Sequence, residues 1–227
     1  SNSKYWGNNK VCDSRPFLSI VSFAISYKTL SWATCWSIIK SPSLISVSKY
    51  LKCNKKELLW VLEHSTVYTA GSSSRKEDVL NKNIKIIKTN RGGKHTIHSP
   101  GQKVVYFVLN LNKRGKDIRN LVDNIENIII DILKEYKIIS HTDKKNIGIW
   151  VGDQKYERKI GAIGIKVKKW IAYHGFSINV FNDLKKYNEI IPCGIKDKKI
   201  TSLKNLGVKK FDNINEVIID KFLNTFL

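Results

Sequence analysis

The stretch Val104-Val-Tyr-Phe-Val-Leu-Asn-Leu111 is followed by Asn112-Lys-Arg-Gly-Lys116 and then by Asp117-Ile-Arg-Asn-Leu-Val-Asp-Asn-Ile125, and its hydrophobic period changes at that turn. The first segment is a β-rich apolar run that ends in turn residues. Beyond it Ile118, Leu121, Val122, Ile125, Ile128, Ile132 and Tyr136 recur at i, i+3, i+4 spacing. That spacing predicts an amphipathic helix over Asp117–Tyr136, with Asp117 as its N-cap or first-turn acid.

Upstream, Leu58–Leu62 and Ile84–Lys88 read as strands; downstream, Ile147–Val151, Lys159–Lys168 and Phe176–Val180 do, and Ile214–Phe226 reads as a last helix. A helix between groups of strands predicts an α+β layer fold, a mixed β-sheet with helices packed on one face. The polar segments Asp143–Asn146 and Gly152–Arg158 read as solvated connectors. Near the start, Val21, Phe23, Ile25 and Tyr27 alternate with Ser22, Ala24 and Ser26, which favours a half-buried strand over the apolar core of a signal peptide. The whole lipophilic run Pro16–Tyr27 is about half the length that spans a bilayer, so no transmembrane helix is expected.

At 227 residues the chain can bury one sizeable core. Its 40 Lys+Arg against 19 Asp+Glu give a formal charge of +21. Lys rather than Arg carries that charge, as codon bias in an A/T-rich genome would produce, so it argues only weakly for nucleic acid. Cys12, Cys35, Cys53 and Cys193 show no Cys-x-x-Cys spacing, and no His-x-x-His or His-Glu-x-x-His occurs, so neither a metal site nor a redox pair is expected. Phosphate loops of the Gly-x-x-x-x-Gly-Lys-Ser/Thr and Gly-x-Gly-x-x-Gly types are also absent.

Chemistry concentrates in Arg91-Gly-Gly-Lys-His-Thr-Ile-His-Ser-Pro-Gly-Gln102, which reads as a binding loop between two strands. It holds three of the 13 glycines, one of the four prolines and two of the five histidines. Glycine there allows positive φ and close approach of backbone N–H groups to a ligand. Cys193, in Ile190-Ile-Pro-Cys-Gly-Ile195, sits between Pro and Gly on an expected tight turn, where a thiol is either a small buried hydrophobe or a nucleophile facing a cleft. A nucleophilic thiol needs a neighbouring cation or histidine; Lys159, which opens Lys159-Ile-Gly-Ala-Ile-Gly164, is the candidate cation. His174, before Gly175-Phe-Ser-Ile-Asn179, is a further polar element.

Together, Glu63-His-Ser-Thr-Val-Tyr-Thr-Ala-Gly71, the Arg91–Gln102 run, Lys159–Gly164, His174–Asn179 and Pro192-Cys-Gly194, in this order, resemble the lipoyl(octanoyl)transferases. The resemblance runs from about Leu58 to the C-terminus. It implies the fold of the biotin and lipoate ligase catalytic domains, with residues 51–227 as the catalytic domain and residues 1–50 as a divergent segment forming its first strand and helix. It also implies transfer of an octanoyl group from octanoyl-acyl carrier protein to a lysine of lipoyl domains, those of 2-oxoacid dehydrogenase complexes and the glycine cleavage H protein. Cys193 would form the acyl-thioester, and Lys159 would lower its pKa. Arg91, Gly92, Gly93, Lys94, His95, Thr96, Ile97 and His98 would bind the acyl group, with Ala162, Ile163, Gly164, Gly175, Phe176 and Ser177. The expected enzyme is a monomer of the bacterial cytoplasm, with no cofactor, metal, nucleic acid or membrane partner; an organelle matrix stays open.

Besides the divergent first 50 residues, two features depart from the family pattern: Ser99 stands where glycine is usual, and the segment before Lys159 is lengthened and basic, so Lys155 and Arg158 compete for its role, although the register of Ile160–Gly164 favours Lys159. The acidic protein substrates typical of the family give the positive charge a use in steering. The alternatives are an ATP-dependent lipoate or biotin ligase of the same fold and a basic nucleic-acid-binding module.

Overall fold

The computed structural model describes residues 57–144, 146–153, 156–192 and 199–226. The early strand expected around Val21–Tyr27, together with Lys155 and Cys193, lies outside the described residues. The fold is α+β. The elements are β1 (Leu58–Leu62), β2 (Val67–Ala70), β3 (Ile86–Lys88), β4 (His95–His98), β5 (Gln102–Asn110), α1 (Ile118–Glu135), β6 (Ser140–Thr142), β7 (Ile149–Val151), β8 (Arg158–Lys168), β9 (Ile171–Asn179), β10 (Lys199–Ile200) and α2 (Ile214–Phe226).

A seven-stranded sheet runs β1-β5-β9-β8-β7-β6, all antiparallel, and β10 joins β8 in parallel. β5 alternates as its sequence requires: Val105, Phe107 and Leu109 enter the core, whereas Val104 and Tyr106 face a cleft on the other side. α1 covers the core face with Leu121, Ile125, Ile128, Ile129, Ile132 and Leu133, and α2 adds Ile214, Ile218 and Phe222. Asp117 is the N-cap of α1, its carboxylate accepting from Asn120 N at 3.0 Å, which stabilises the helix by about 1 kcal/mol. The central pairing is β5 with β9, nine residues on each strand in register from Gln102↔Asn179 to Asn110↔Ile171.

A second sheet has the order β3-β2-β4; the sequence patterns revealed its β3, expected at Ile84–Lys88, but neither β2 nor β4. His95–His98, read as the middle of a loop, is strand β4, paired antiparallel with β2. Its His-Thr-Ile-His sequence is too polar to stand out by alternation. β9 also begins earlier than expected, at Ile171 instead of Phe176, because His174 and Gly175 interrupt the apolar pattern without breaking the strand.

Candidate active site

The small sheet lies against the face of the large sheet that the helices leave free, and a cleft of about 810 Å³ runs between the two and on past β8 to Ile118 and Val122 of α1. Its floor follows from strand register: Val104, Ser177 and Ala162 form one row across β5, β9 and β8, and Tyr106, Gly175 and Gly164 form the next. The second row carries two glycines for different reasons. A Cβ on Gly175 would sit 2.9 Å from the Val105 carbonyl carbon and nearer still to its oxygen, so this glycine permits the strand pairing. A Cβ on Gly164 would meet only the Arg91 side chain at 3.2 Å and the Gly92 carbonyl at 3.3 Å, so this glycine opens floor space.

The wall opposite is the Arg91–Lys94 turn. Gly92 N donates to Ile165 O at 3.0 Å, docking the turn on the edge of β8. The Arg91 guanidinium donates from Nη2 to Thr69 O at 3.0 Å and Thr69 Oγ1 at 2.9 Å, and from Nη1 to Gly92 O at 3.0 Å. This fork geometry is specific to Arg.

Lys159 owes its place to a β-bulge. Ile149 pairs with Gly161 but the next residue, Trp150, pairs with Lys159, so Ile160 is an extra residue in β8. Strict alternation from Gly161 and Ile163 would put Lys159 on the core face; the extra residue turns it to the cleft, with Ala162. Lys159 is 4% exposed; its ammonium donates to Ile147 O at 2.7 Å and lies 5.2 Å from the centre of the Trp150 ring. Alternation from Lys159 puts Arg158 on the opposite face of the strand.

Both described ends of the chain around Cys193 converge on this lysine. Pro192 lines a small cavity with Lys159, Ala162, Ser177 and Thr96. On the other side Ile200 pairs with Lys159, and Thr201 N donates to Lys159 O at 2.9 Å. The approach to Pro192 is clamped by the turn at residues 78–81: Ile191 N donates to Asp78 O at 2.7 Å, and Leu80 N and Asn81 N both donate to Glu189 O.

Behind the cleft runs a buried polar chain. The Gln102 amide donates to Asn179 Oδ1 at 2.8 Å and to Tyr187 Oη at 3.0 Å, so its oxygen accepts from His98 Nδ1 at 2.7 Å. Asn179 passes the chain on by donating to Thr201 O at 3.0 Å. The His98 proton therefore sits on Nδ1, and Nε2 carries a lone pair. Burial, His64 and Arg91 push the His98 pKa down to about 3. Burial pushes His64 down to about 4, and burial with Arg91 and Lys166 does the same to His174. All three imidazoles are neutral at pH 7. His174 has φ 69 in mid-strand, which turns its ring beside that of Tyr173 and lets it meet Asn90 Oδ1 at 2.7 Å.

Arg91, Gly92, Gly93, Lys94, His95, Thr96, His98, Lys159, Ala162, Ile163, Gly164, Gly175, Phe176 and Ser177 all border the cleft. Ile97 is buried and does not border it, and Phe176 also belongs to the helix-side core. Ser99 causes no distortion: it is not among the left-handed residues, and Gly101, with φ 84, takes the turn that needs glycine. Thr69 and Asn179 lay in sequence motifs without a role of their own, and Tyr106 and Tyr187 were given no part in the site by any sequence pattern. Asn146, at the end of the segment read as a solvated connector, borders the cleft, and so does Ile147, expected as the start of a strand but lying before β7; the Ile147 carbonyl accepts from the lysine. Among the described residues no cluster of His, Cys, Asp or Glu could hold a metal.

Comparison with known proteins bears on this arrangement. Residues 47–226 match the family model of the lipoyl protein ligase A/B catalytic domain. The chain is 43% identical over 172 residues to the octanoyltransferase of Wolbachia pipientis wMel, covering 75% of this chain and 84% of that protein. The chain belongs to the lipoyl(octanoyl)transferase family. It is an acyltransferase. An octanoyltransferase of Anaplasma marginale, strain Florida, is 37% identical over 213 residues, covering 92% of this chain and all of the relative, 100%. Among solved structures, lipoate-protein ligase A bound with ATP superposes with a TM-score of 0.66 at 14% identity, covering 85% of this chain and 80% of that one. A bipartite lipoate protein ligase of Thermoplasma acidophilum gives a TM-score of 0.65 at 14% identity, covering 85% and 78%. At that identity these structures share the fold.

Proposed function

We propose that this octanoyltransferase moves an octanoyl group from octanoyl-acyl carrier protein to a lysine of lipoyl domains through a thioester on Cys193. The observation that carries the reading is the convergence of Pro192 and Ile200, which flank the Cys193 segment, on buried Lys159: Pro192 lines a cavity with it and Ile200 pairs with its backbone. A cation beside a thiol favours the thiolate, which is the nucleophile.

In the first half-reaction the Cys193 thiolate attacks the thioester carbonyl. A new C–S bond forms, the bond to the carrier breaks, and the carrier thiolate leaves. One thioester replaces another of similar energy, so no ATP is needed. In the second, the neutral amine of the acceptor lysine attacks, a C–N bond forms, the C–S bond to Cys193 breaks, and the departing thiolate takes up the proton that the amine loses. The glycine floor at Gly164 and Gly175, with Ala162 and Val104, suits a narrow aliphatic chain, and the Arg91 turn roofs it. The 2-oxoacid dehydrogenase lipoyl domains and the glycine cleavage H protein are the proposed acceptors, and the enzyme acts as a cytoplasmic monomer. The charge of +21 suits acidic protein partners.

The test is to incubate the protein with octanoyl carrier protein and measure its intact mass. One octanoyl adduct, absent in Cys193→Ser, is expected; folded wild-type protein that acquires none overturns the reading.

A further inference from the structure

The turn before β7 is built around the Lys159 side chain. Gly148 has φ +138, and a Cβ added there would lie 2.7 Å from Lys159 Nζ and closer still to its Cε. The lysine stem therefore occupies the space a side chain at residue 148 would need. Ile147, one residue before, supplies the carbonyl that accepts from Nζ, and Trp150, two residues after, presents its ring to the ammonium. The ring is itself fixed, because its indole Nε1 donates to Asn146 O at 2.9 Å. Five consecutive residues, Asn146 to Trp150, thus contribute an indole anchor, a carbonyl, an empty slot, a core residue and a ring face. A carbonyl dipole and a ring quadrupole both favour a cation and fix its direction.

We propose that Gly148 is a positioning residue for acyl transfer: its missing side chain is the slot through which the Lys159 ammonium reaches the Ile147 carbonyl and the Trp150 ring, and this seat fixes Lys159 in the cavity that it lines with Pro192. This rests on the proposed pairing of Lys159 with Cys193. A methyl group in the slot drives the ammonium out of its seat and away from the thiol.

The test is the pH dependence of Cys193 alkylation by iodoacetamide, read at the Cys193 peptide by mass spectrometry in wild type, Gly148→Ala, Lys159→Ala and the double variant. The thiol midpoint in Gly148→Ala should rise by about one pH unit, so that alkylation at pH 7 slows about tenfold, and the double variant should match Lys159→Ala alone. A folded Gly148→Ala with the wild-type midpoint overturns the proposal when Lys159→Ala shifts it. If Gly148→Ala does not fold, Trp150→Leu should raise the midpoint and Trp150→Phe restore it; a wild-type midpoint in folded Trp150→Leu is equally adverse. If Lys159→Ala itself leaves the midpoint unchanged, it is the Lys159–Cys193 pairing that fails. The seat is then judged on the Lys159 ammonium signal in lysine-labelled protein: slow proton exchange in wild type, lost in Gly148→Ala or Trp150→Leu, supports it, and equal exchange refutes it.

Discussion

Two glycines one strand apart should respond to the same substitution in opposite ways. Gly175 and Gly164 are paired in register, yet a methyl group on Gly175 would intrude on the Val105 carbonyl, which is backbone in the central β5–β9 ladder. Restoring ordinary contact requires the two strands to part by about 1 Å or more, and a packed core resists such a shift. Gly175→Ala should therefore cost about 3–5 kcal/mol of stability, or prevent folding. On Gly164 the same methyl meets the flexible Arg91 stem and the Gly92 carbonyl at contact distances that a few tenths of an ångström relieve. Gly164→Ala should stay within about 1 kcal/mol of wild type, but it occupies the cleft floor and should slow octanoyl loading about tenfold or more. Urea unfolding and single-turnover acylation separate the two effects. Wild-type stability in Gly175→Ala, or wild-type loading in Gly164→Ala, refutes this division of the floor.

Other substitutions test the surrounding shell. Gln102→Leu strands Asn179, Tyr187 and His98 without their shared amide and should cost about 2–4 kcal/mol in urea unfolding. Arg91→Lys breaks the fork to Thr69 and Gly92, and should lower kcat/KM for the acyl donor about tenfold with little loss of stability. His64 and His174 titrate at about 4 when folded, below the ordinary imidazole value of 6.5, so the unfolded chain binds more protons between those values. Their contribution to stability is complete above about pH 6.5 and is lost as pH falls towards 4. In urea unfolding at several pH values, His174→Asn should flatten that slope by up to about one proton; an unchanged slope contradicts the neutral assignment.

Sequence periodicity captured the large sheet and its helices because their apolar faces are long: α1 and α2 fall within a residue or two of expectation, and β1 coincides with it. Of the small sheet only β3 was legible; β2 and β4 escaped because each is only four residues long, and they are held by pairing with one another. The candidate site was legible as residue types but not as geometry. No pattern at Ile160 announces a bulge, since the extra residue is visible only against the register of β7. Nor does the sequence tell Gly148 from any other turn glycine until the lysine stem is seen in its place. Gln102 lay in a quoted motif, but its task depends on Asn179 and Tyr187, far along the chain and adjacent only in the fold.

ATP-free transfer through Cys193 can be read in a single chase. Octanoyl-enzyme, isolated from the carrier reaction and mixed with apo lipoyl domain in the absence of ATP, should deliver its octanoyl group to the domain's lysine in one turnover, while Cys193→Ser delivers none. Transfer that requires ATP and free octanoate, or that proceeds undiminished in Cys193→Ser, would contradict it.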